Sequence, residues 1–136
     1  MVIAIAGVML TFAVPAFSSW QESQAVKNAQ RTLLGRIKQA RMLALAENRS
    51  VSITFTPTSY VFDADTGTCG AICRKEQTKL SQFSSQMSLR PTTTRTFTSR
   101  GTANFGRLTL TAGSTQGQIT INIIGRGYAS PLGKVP

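Results

Sequence analysis

The sequence contains no histidine and only five acidic residues among its 136. Without histidine it lacks the commonest general base, the Ser-His and Cys-His nucleophile pairs, and imidazole metal sites. Four of the five acids fall within residues 47–76, but the stretch DADTGTCGAICR is a poor calcium loop. If Asp63 is its first position, Arg74 stands where the twelfth should supply a bidentate glutamate. We therefore expect no enzymatic activity, no cofactor and no metal site.

Cysteine is also scarce, since the chain has only Cys69 and Cys73, in the spacing C-x3-C. Two cysteines without histidine cannot supply the four ligands of a structural zinc within one chain. Two options remain, a small-loop disulfide or two free thiols, and an oxidising compartment favours the Cys69–Cys73 bridge. Such a bridge would stabilise the fold little, because the loop that it closes is very short.

Positive charge is abundant by contrast. Fifteen Lys and Arg residues give a formal net charge of +10, and Glu76 is the last acidic residue. Seven cations follow it: Lys79, Arg90, Arg95, Arg100, Arg107, Arg126 and Lys134. Half a domain with charge of one sign projects a positive field, which attracts nucleic acid, anionic lipid or an acidic protein surface.

The first 17 residues are almost entirely apolar, and no basic residue precedes them as it would in a signal peptide. The run is slightly short for a membrane span, which needs about 20 apolar residues. Residues 18–48 continue with helical periodicity, and Pro15 would kink rather than end an apolar helix. The predicted core face comprises Val26, Ala29, Leu33, Ile37, Ala40 and Ala44. We predict one helix of about 48 residues, roughly 70 Å long; the alternative is a removed signal followed by a short amphipathic helix.

Beyond Asn48, which suits a left-handed helix stop, the periodicity changes from helical to alternating. The stretches VSITF and YVFD predict one hairpin across a TPTS turn. A second hairpin is predicted with Leu108 and Leu110 facing Ile119, Ile121 and Ile123 across a Gly-Ser-Thr-Gln-Gly turn. Further strand candidates are residues 87–89 and 95–98. The prediction is an α+β fold in which antiparallel β-sheet covers the apolar stripe of a long N-terminal helix.

The run VIAIAGVMLTFAVPAF, with Gly7 and Pro15 eight residues apart, resembles the methylation-type N-terminal helix of type IV pilins and type II secretion pseudopilins. In those families a Gly-Phe-Thr-Leu-Ile-Glu stretch precedes such a run. The resemblance implies that the first residues of the helix lie upstream of Met1: the start was assigned too late, the chain was trimmed, or this copy cannot be processed. It also implies three regions, namely 1–20 as the transmembrane and filament-core half of the helix, 21–50 as its amphipathic half, and 51–136 as a β-rich head.

The stretch FTSRGTANFGRLTLTAGSTQGQITINIIGRGYAS resembles the C-terminal half of the GspH/FimT family. The shared features are a Phe-x-x-x-Gly segment at Phe97 to Gly101, a hairpin, and a Gly-Arg motif closing the last strand. FimT-like members are minor pilins implicated in capturing DNA for natural transformation, and they carry a Gly-Arg-x-Arg motif. Here Gly125 and Arg126 match that motif, while Tyr128 stands where the second arginine would be.

The charge pattern and the resemblance together predict DNA binding through phosphate contacts. Binding should be independent of sequence, because no helix here resembles one that reads base edges in a major groove. Tyr128 would add base stacking on single-stranded or frayed DNA. The predicted DNA-binding residues are Arg126, Gly125, Tyr128, Arg107, Arg100, Arg95 and Lys134.

The implied partners are DNA, other pilins or pseudopilins through the helix, and the inner membrane before assembly. The implied location is the bacterial inner membrane, single-pass with a periplasmic head, and afterwards a pilus or pseudopilus. The alternative is a structural pseudopilin at the tip of a type II secretion filament, although such a subunit gains nothing obvious from a charge of +10. A third hypothesis, binding to a membrane surface through Lys27, Arg31 and Lys38, has less support, since there are only three charges and each contributes about 1 kcal/mol.

Overall fold

A computed structural model describes residues 2–65 and 74–136 of the chain. The predicted Cys69–Cys73 pairing lies outside these described residues. Within them, one α-helix, α1 (Val2–Ala46), precedes nine strands, and a short 3-10 helix, Leu80–Gln82, lies between the third strand and the fourth. The strands are β1 (Val51–Phe55), β2 (Ser59–Asp63), β3 (Lys75–Lys79), β4 (Met87–Arg90), β5 (Thr93–Phe97), β6 (Gly106–Ala112), β7 (Thr115–Ile121), β8 (Gly127–Ala129) and β9 (Gly133–Lys134).

The helix α1 is continuous through Pro15, which confirms the prediction of a single long helix. It ends where predicted, because Asn48 adopts a left-handed conformation with φ of 50°. The Arg49 amide then donates a hydrogen bond to the Ala44 carbonyl at 3.2 Å, which satisfies one of the last helical carbonyls.

The two halves of α1 have different surroundings. Residues 3–21 are exposed along the whole length of that segment. Within the described residues, one helical segment, Ile3–Ala46, is long and apolar enough to cross a membrane by length and composition. From residue 22 onward one face is covered, and the six residues of the predicted core face are all buried: Val26, Ala29, Leu33, Ile37, Ala40 and Ala44.

The strands form two antiparallel sheets. The first sheet has the order β3-β2-β1-β5, and the second has the order β4-β6-β7-β8, with β9 also pairing with β7. Both predicted hairpins are present, as β1 with β2 and β6 with β7. Both sheets pack against α1. The side chains that they turn inward, such as Phe55 and Phe97 from the first sheet and Leu108 and Ile119 from the second, complete one core.

Two details of the second hairpin were predicted wrongly. The β6–β7 turn consists of Gly113 and Ser114 only, so the threonine and glutamine that follow belong to β7. The Glu22 carboxylate accepts hydrogen bonds from the Ser114 amide and hydroxyl, both at 3.1 Å, and so fixes this short turn. Ile123 lies beyond the end of β7 and is 67% exposed, because the chain leaves the sheet after Ile121.

A buried glutamine connects α1 to the second sheet. The Gln30 side-chain amide donates to the carbonyls of Gln118 at 3.1 Å and Ser130 at 3.2 Å. Gly117 lies directly opposite it, and a Cβ there would come within 2.6 Å of the Gln30 side chain and 2.9 Å of Val26, so Gln30 would have to move. The contact therefore sets how closely the helix approaches β7.

Replacing Gln30 with methionine is expected to lower the free energy of unfolding by about 1–3 kcal/mol, because two partly buried carbonyls lose their donor. The measurement is urea unfolding of the full chain in an uncharged detergent, followed by circular dichroism. The control is Gln39→Met on the exposed face, where the glutamine accepts an exposed hydrogen bond from Arg36 worth a few tenths of a kcal/mol. Equal losses in the two variants would contradict the structural role of Gln30.

Candidate functional site

All five acidic residues make contacts within the fold. Glu22 holds the β6–β7 turn, and the other four form ion pairs. The pairs are Arg36–Glu76, Arg49–Glu47, Arg49–Asp65, Arg74–Glu47, Arg74–Asp65 and Lys75–Asp63. These pairs engage four of the fifteen cations, so eleven have no ion-pair partner among the described residues. Most of the ion pairs lie on the β2–β3 side of the molecule, where Lys79 alone among the cations of β3 has no ion-pair partner among the described residues.

The densest of these contacts surrounds Asp65, which is buried where β2 ends. Its carboxylate accepts from the Arg74 amide at 2.6 Å and pairs with Arg49 at 2.6 Å. A hydrogen bond to Glu47, together with the charges of Glu47 and Asp65, raises the pKa of Arg49 above its ordinary value despite an opposing desolvation effect. Arg49 and Arg74 are neutralised here, so they add little to the positive surface.

The Gly-Arg motif lies in the turn between β7 and β8. The Asn122 carbonyl and side-chain oxygen accept hydrogen bonds from the amides of Gly125 and Arg126, both at 2.9 Å. Gly125 has φ of 70°, a conformation that favours glycine. A Cβ on Gly125 would also collide with the Gly101 carbonyl. This turn presents Arg126 to solvent.

The contact between Gly101 and Gly125 brings a second basic loop to the same place. Gly101 also has a positive φ, 76°, and the exposed Arg100 directly precedes it. Ala103 then donates its amide to the Ile123 carbonyl at 2.9 Å, which ties this loop to the β7–β8 turn. Arg100 and Arg126 thus lie on adjoining loops at the end of the head where α1 terminates.

The C-terminal part of α1 completes a groove beside these loops. The Arg41 Nε atom donates to the Gly101 carbonyl at 3.3 Å. The groove has a volume of about 450 Å³, and we call it the basic groove. It is lined by Lys38, Arg41, Met42, Leu45, Gly125, Arg126, Gly127 and Tyr128. Its lining holds three cations and no acidic residue, and all of these residues belong to the described part of the chain.

Arg107 lies on the exposed face of the second sheet, near Tyr128. Arg107 is paired in register with Thr120 on β7, and Thr120 is paired with Tyr128 on β8. Directly paired residues share a face, and two strand spacings separate Arg107 from Tyr128 by roughly 10 Å. Arg107 therefore extends the positive surface from the basic groove across the sheet.

The remaining predicted residues lie elsewhere. Arg95 on β5 is half-buried over Gly106, and its guanidinium donates to the Phe105 carbonyl at 2.8 Å, which links the two sheets. Lys134 on β9 lines a different groove with Ser19 and Ser23. That groove is roughly 25 Å along α1 from Lys38, at a rise of 1.5 Å per residue. The structure thus brings together Arg126, Gly125, Tyr128, Arg100 and Arg107, but neither Arg95 nor Lys134.

Sequence reasoning missed Lys38 and Arg41 as members of this site. Lys38 was grouped with Lys27 and Arg31 on one face of the helix, and Arg41 was not singled out. Their spacing of three residues on α1 puts them on one side of the helix, but nothing in the sequence aligned that side with residues 125–128.

Comparison with known proteins finds one matching family model and solved structures with a similar fold. A family model described as type II transport protein GspH matches residues 29–125. The solved structure of the type IV minor pilin FimU from Pseudomonas aeruginosa aligns with a TM-score of 0.65 at 16% identity, covering 82% of this chain and 92% of that chain. The minor pseudopilin EpsH from the type 2 secretion system of Vibrio cholerae aligns with a TM-score of 0.62 at 15% identity, covering 77% and 95%. A search of curated proteins finds no match. The alignments confirm the predicted α+β fold with a long N-terminal helix packed on antiparallel sheets.

Proposed function

This chain belongs to the GspH family of minor pilins and pseudopilins, and on that premise we propose that it is a minor pilin that binds DNA without sequence preference. The proposed role is DNA uptake for natural transformation. The proposed contact is the surface formed by the basic groove together with Arg100 and Arg107.

One observation carries the proposal, namely the convergence of unpaired cations at one end of the head. Lys38 and Arg41 from α1, Arg126 from the β7–β8 turn and Arg100 from the adjoining loop meet there. None of the five acids lines the groove: Glu22 holds the β6–β7 turn, and the other four form ion pairs with Arg36, Arg49, Arg74 and Lys75. Such a surface attracts a polyanion and is neutralised by it.

The expected mode of contact is with phosphates. Lysine and arginine side chains that replace counterions on DNA gain affinity from counterion release, whatever the base sequence. Arg126 is suited to this role because the carbonyl and side chain of Asn122 hold its turn while the Arg126 side chain remains exposed. Sequence preference should accordingly be weak.

The exposed half of α1 supports the proposed membrane anchoring and assembly with other pilins. The large apolar side chains between Ile3 and Phe17 are more than half exposed, so they require lipid or neighbouring helices around them. We propose residues 1–20 as the membrane and filament-core segment, 21–50 as the half that carries the head, and 51–136 as the head itself. The head would face the periplasm while the chain is anchored once in the inner membrane, and would be displayed on the filament after assembly with other pilins.

The test is a salt titration of DNA affinity by fluorescence anisotropy, with the full chain in an uncharged detergent and two duplexes of unrelated sequence. We expect dissociation constants in the micromolar range, falling within a factor of three of each other. With about four phosphates contacted, the logarithm of the affinity should fall by about 3.6 per logarithmic unit of salt. Absence of binding at low salt would overturn the proposal, and a tenfold preference for one duplex would overturn sequence independence.

A second candidate function is a structural pseudopilin of the type II secretion filament, which acts in protein secretion without DNA. The observation that favours it is a group of exposed apolar residues near the same end of the head: Phe105, Ile123 and Ile124, which are 64%, 67% and 50% exposed. Exposed apolar groups rimmed by polar residues mark protein contacts. Loss of secretion in a deletion strain with unchanged DNA uptake would favour this candidate.

A further inference from the structure

The basic groove combines two kinds of side chain. Met42 and Leu45 on α1 and Tyr128 on β8 supply apolar and aromatic surface, and they are 70%, 46% and 51% exposed. Lys38 and Arg126 line the same groove and supply charge. The volume of about 450 Å³ falls in the range of roughly 300–1,000 Å³ that small-molecule sites occupy.

The two walls of the groove are positioned by close packing within the fold. Gly127 is so close to the helix that a Cβ there would lie 2.8 Å from Leu34, so β8 and α1 form adjoining walls. Arg41 is held against the Gly101 carbonyl at 3.3 Å, and Gly125 touches the same carbonyl. The position of β8 relative to α1, and with it that of Tyr128 relative to Lys38, is therefore set by the close packing of Gly127 on the helix.

This combination of charges and apolar surface fits one chemical class well. A nucleotide presents an anionic phosphate next to a flat base, and aromatic and apolar side chains stack on a base while cations hold its phosphate. Charge complementarity favours it, since the three lining cations face no acid in the described part of the groove. A base inside a duplex cannot reach the groove unless it is unpaired and flipped, which costs a few kcal/mol.

We infer that the basic groove receives one unstacked base of single-stranded DNA against Tyr128 and Met42, with the flanking phosphates on Lys38 and Arg126. This inference rests on the proposed DNA binding and adds a preference to it. Duplex DNA uses only the phosphate contacts, whereas a single strand or a frayed end also gains the stacking contact. The chain is thus a receptor for strand ends and single strands in preference to intact duplex.

The experiment measures anisotropy with the full chain in an uncharged detergent and three labelled ligands: an oligothymidine, an abasic strand of the same length, and a duplex. The variants are Tyr128→Ala and Arg126→Ala. The control is Phe105→Ala, which removes an exposed aromatic residue outside the groove. Thermal unfolding of each variant is measured alongside.

Tyr128→Ala is expected to weaken oligothymidine binding by about 5- to 150-fold, the equivalent of one stacked base, with less than a twofold change for the duplex and the abasic strand. Arg126→Ala should weaken all three, and Phe105→Ala none. If Tyr128→Ala binds oligothymidine normally while Arg126→Ala weakens every ligand, the base site is wrong and DNA binding stands. If the unsubstituted chain binds none of the ligands, the proposed function fails as well.

Discussion

The double variant Lys38→Glu/Arg126→Glu is expected to bind duplex DNA at least 100-fold more weakly than the unsubstituted chain. Each cation is proposed to contact a phosphate, and a hydrogen bond to a charged group contributes about 1.5–3 kcal/mol. Loss of two such contacts amounts to about 3–6 kcal/mol, or about 10²- to 10⁴-fold. The slope of affinity against salt should also fall by about 2, because about one phosphate contact is lost for each cation.

The matched control is Lys79→Glu/Lys134→Glu, which changes the net charge by the same amount. Lys79 lies on β3, at the edge of the first sheet, and Lys134 lies near Ser19 on the other end of the head. Arg36, which pairs with Glu76 on β3, lies about 160° around α1 from Lys38, so β3 and the basic groove are on different sides of the helix. We therefore expect the control variant to lower the affinity for duplex DNA only slightly. If the control lost as much affinity as the groove variant, total charge and not the basic groove would set DNA binding.

Replacing Ile37 with alanine is expected to lower the free energy of unfolding by about 2–5 kcal/mol. Ile37 is completely buried on the face of α1 that both sheets cover, and it packs near Gly127 of β8. Truncation there leaves a cavity that the surrounding strands cannot close without moving. Urea unfolding of the full chain in an uncharged detergent, followed by circular dichroism, measures the loss.

The control for this prediction is Met42→Ala, five residues further along the same helix. Met42 is 70% exposed, so its truncation should change the unfolding free energy by no more than about 0.5 kcal/mol. A comparable loss in the two variants would mean that α1 does not bury its Val26 to Ala44 face as the structure describes.

Much of the fold was predictable because its elements have strong local patterns. The apolar residues of α1 repeat every three or four positions, and the strands of the two hairpins alternate, so periodicity identified each element and its buried face. Ile123 was assigned wrongly because alternation alone does not indicate where a strand ends. The chain turns away at Asn122, whose carbonyl and side chain hold the β7–β8 turn closed.

The candidate site was only partly predictable for a different reason. Arg126 and Tyr128 stood out through their motif, but Arg95 and Lys134 were included only because they are basic and come late in the chain. The structure gives Arg95 a hydrogen bond between the sheets and puts Lys134 near the start of the head. Residues with the same sign of charge in one part of the sequence need not share a surface, since successive side chains of a strand point to opposite faces of the sheet.

The sequence by itself determined the long helix, its buried face, the two hairpins and the excess of positive charge, because these depend on composition and on patterns a few residues long. The tertiary structure decided which charges lie together. Lys38 and Arg126 are 88 positions apart in the chain, and they line one groove because β8 packs closely on α1 through Gly127. Gly101 and Gly125 make a contact that a side chain at Gly125 would prevent, and this contact brings the loop of Arg100 to the same end. Contacts of that kind depend on the pairing of distant segments, which no local pattern records.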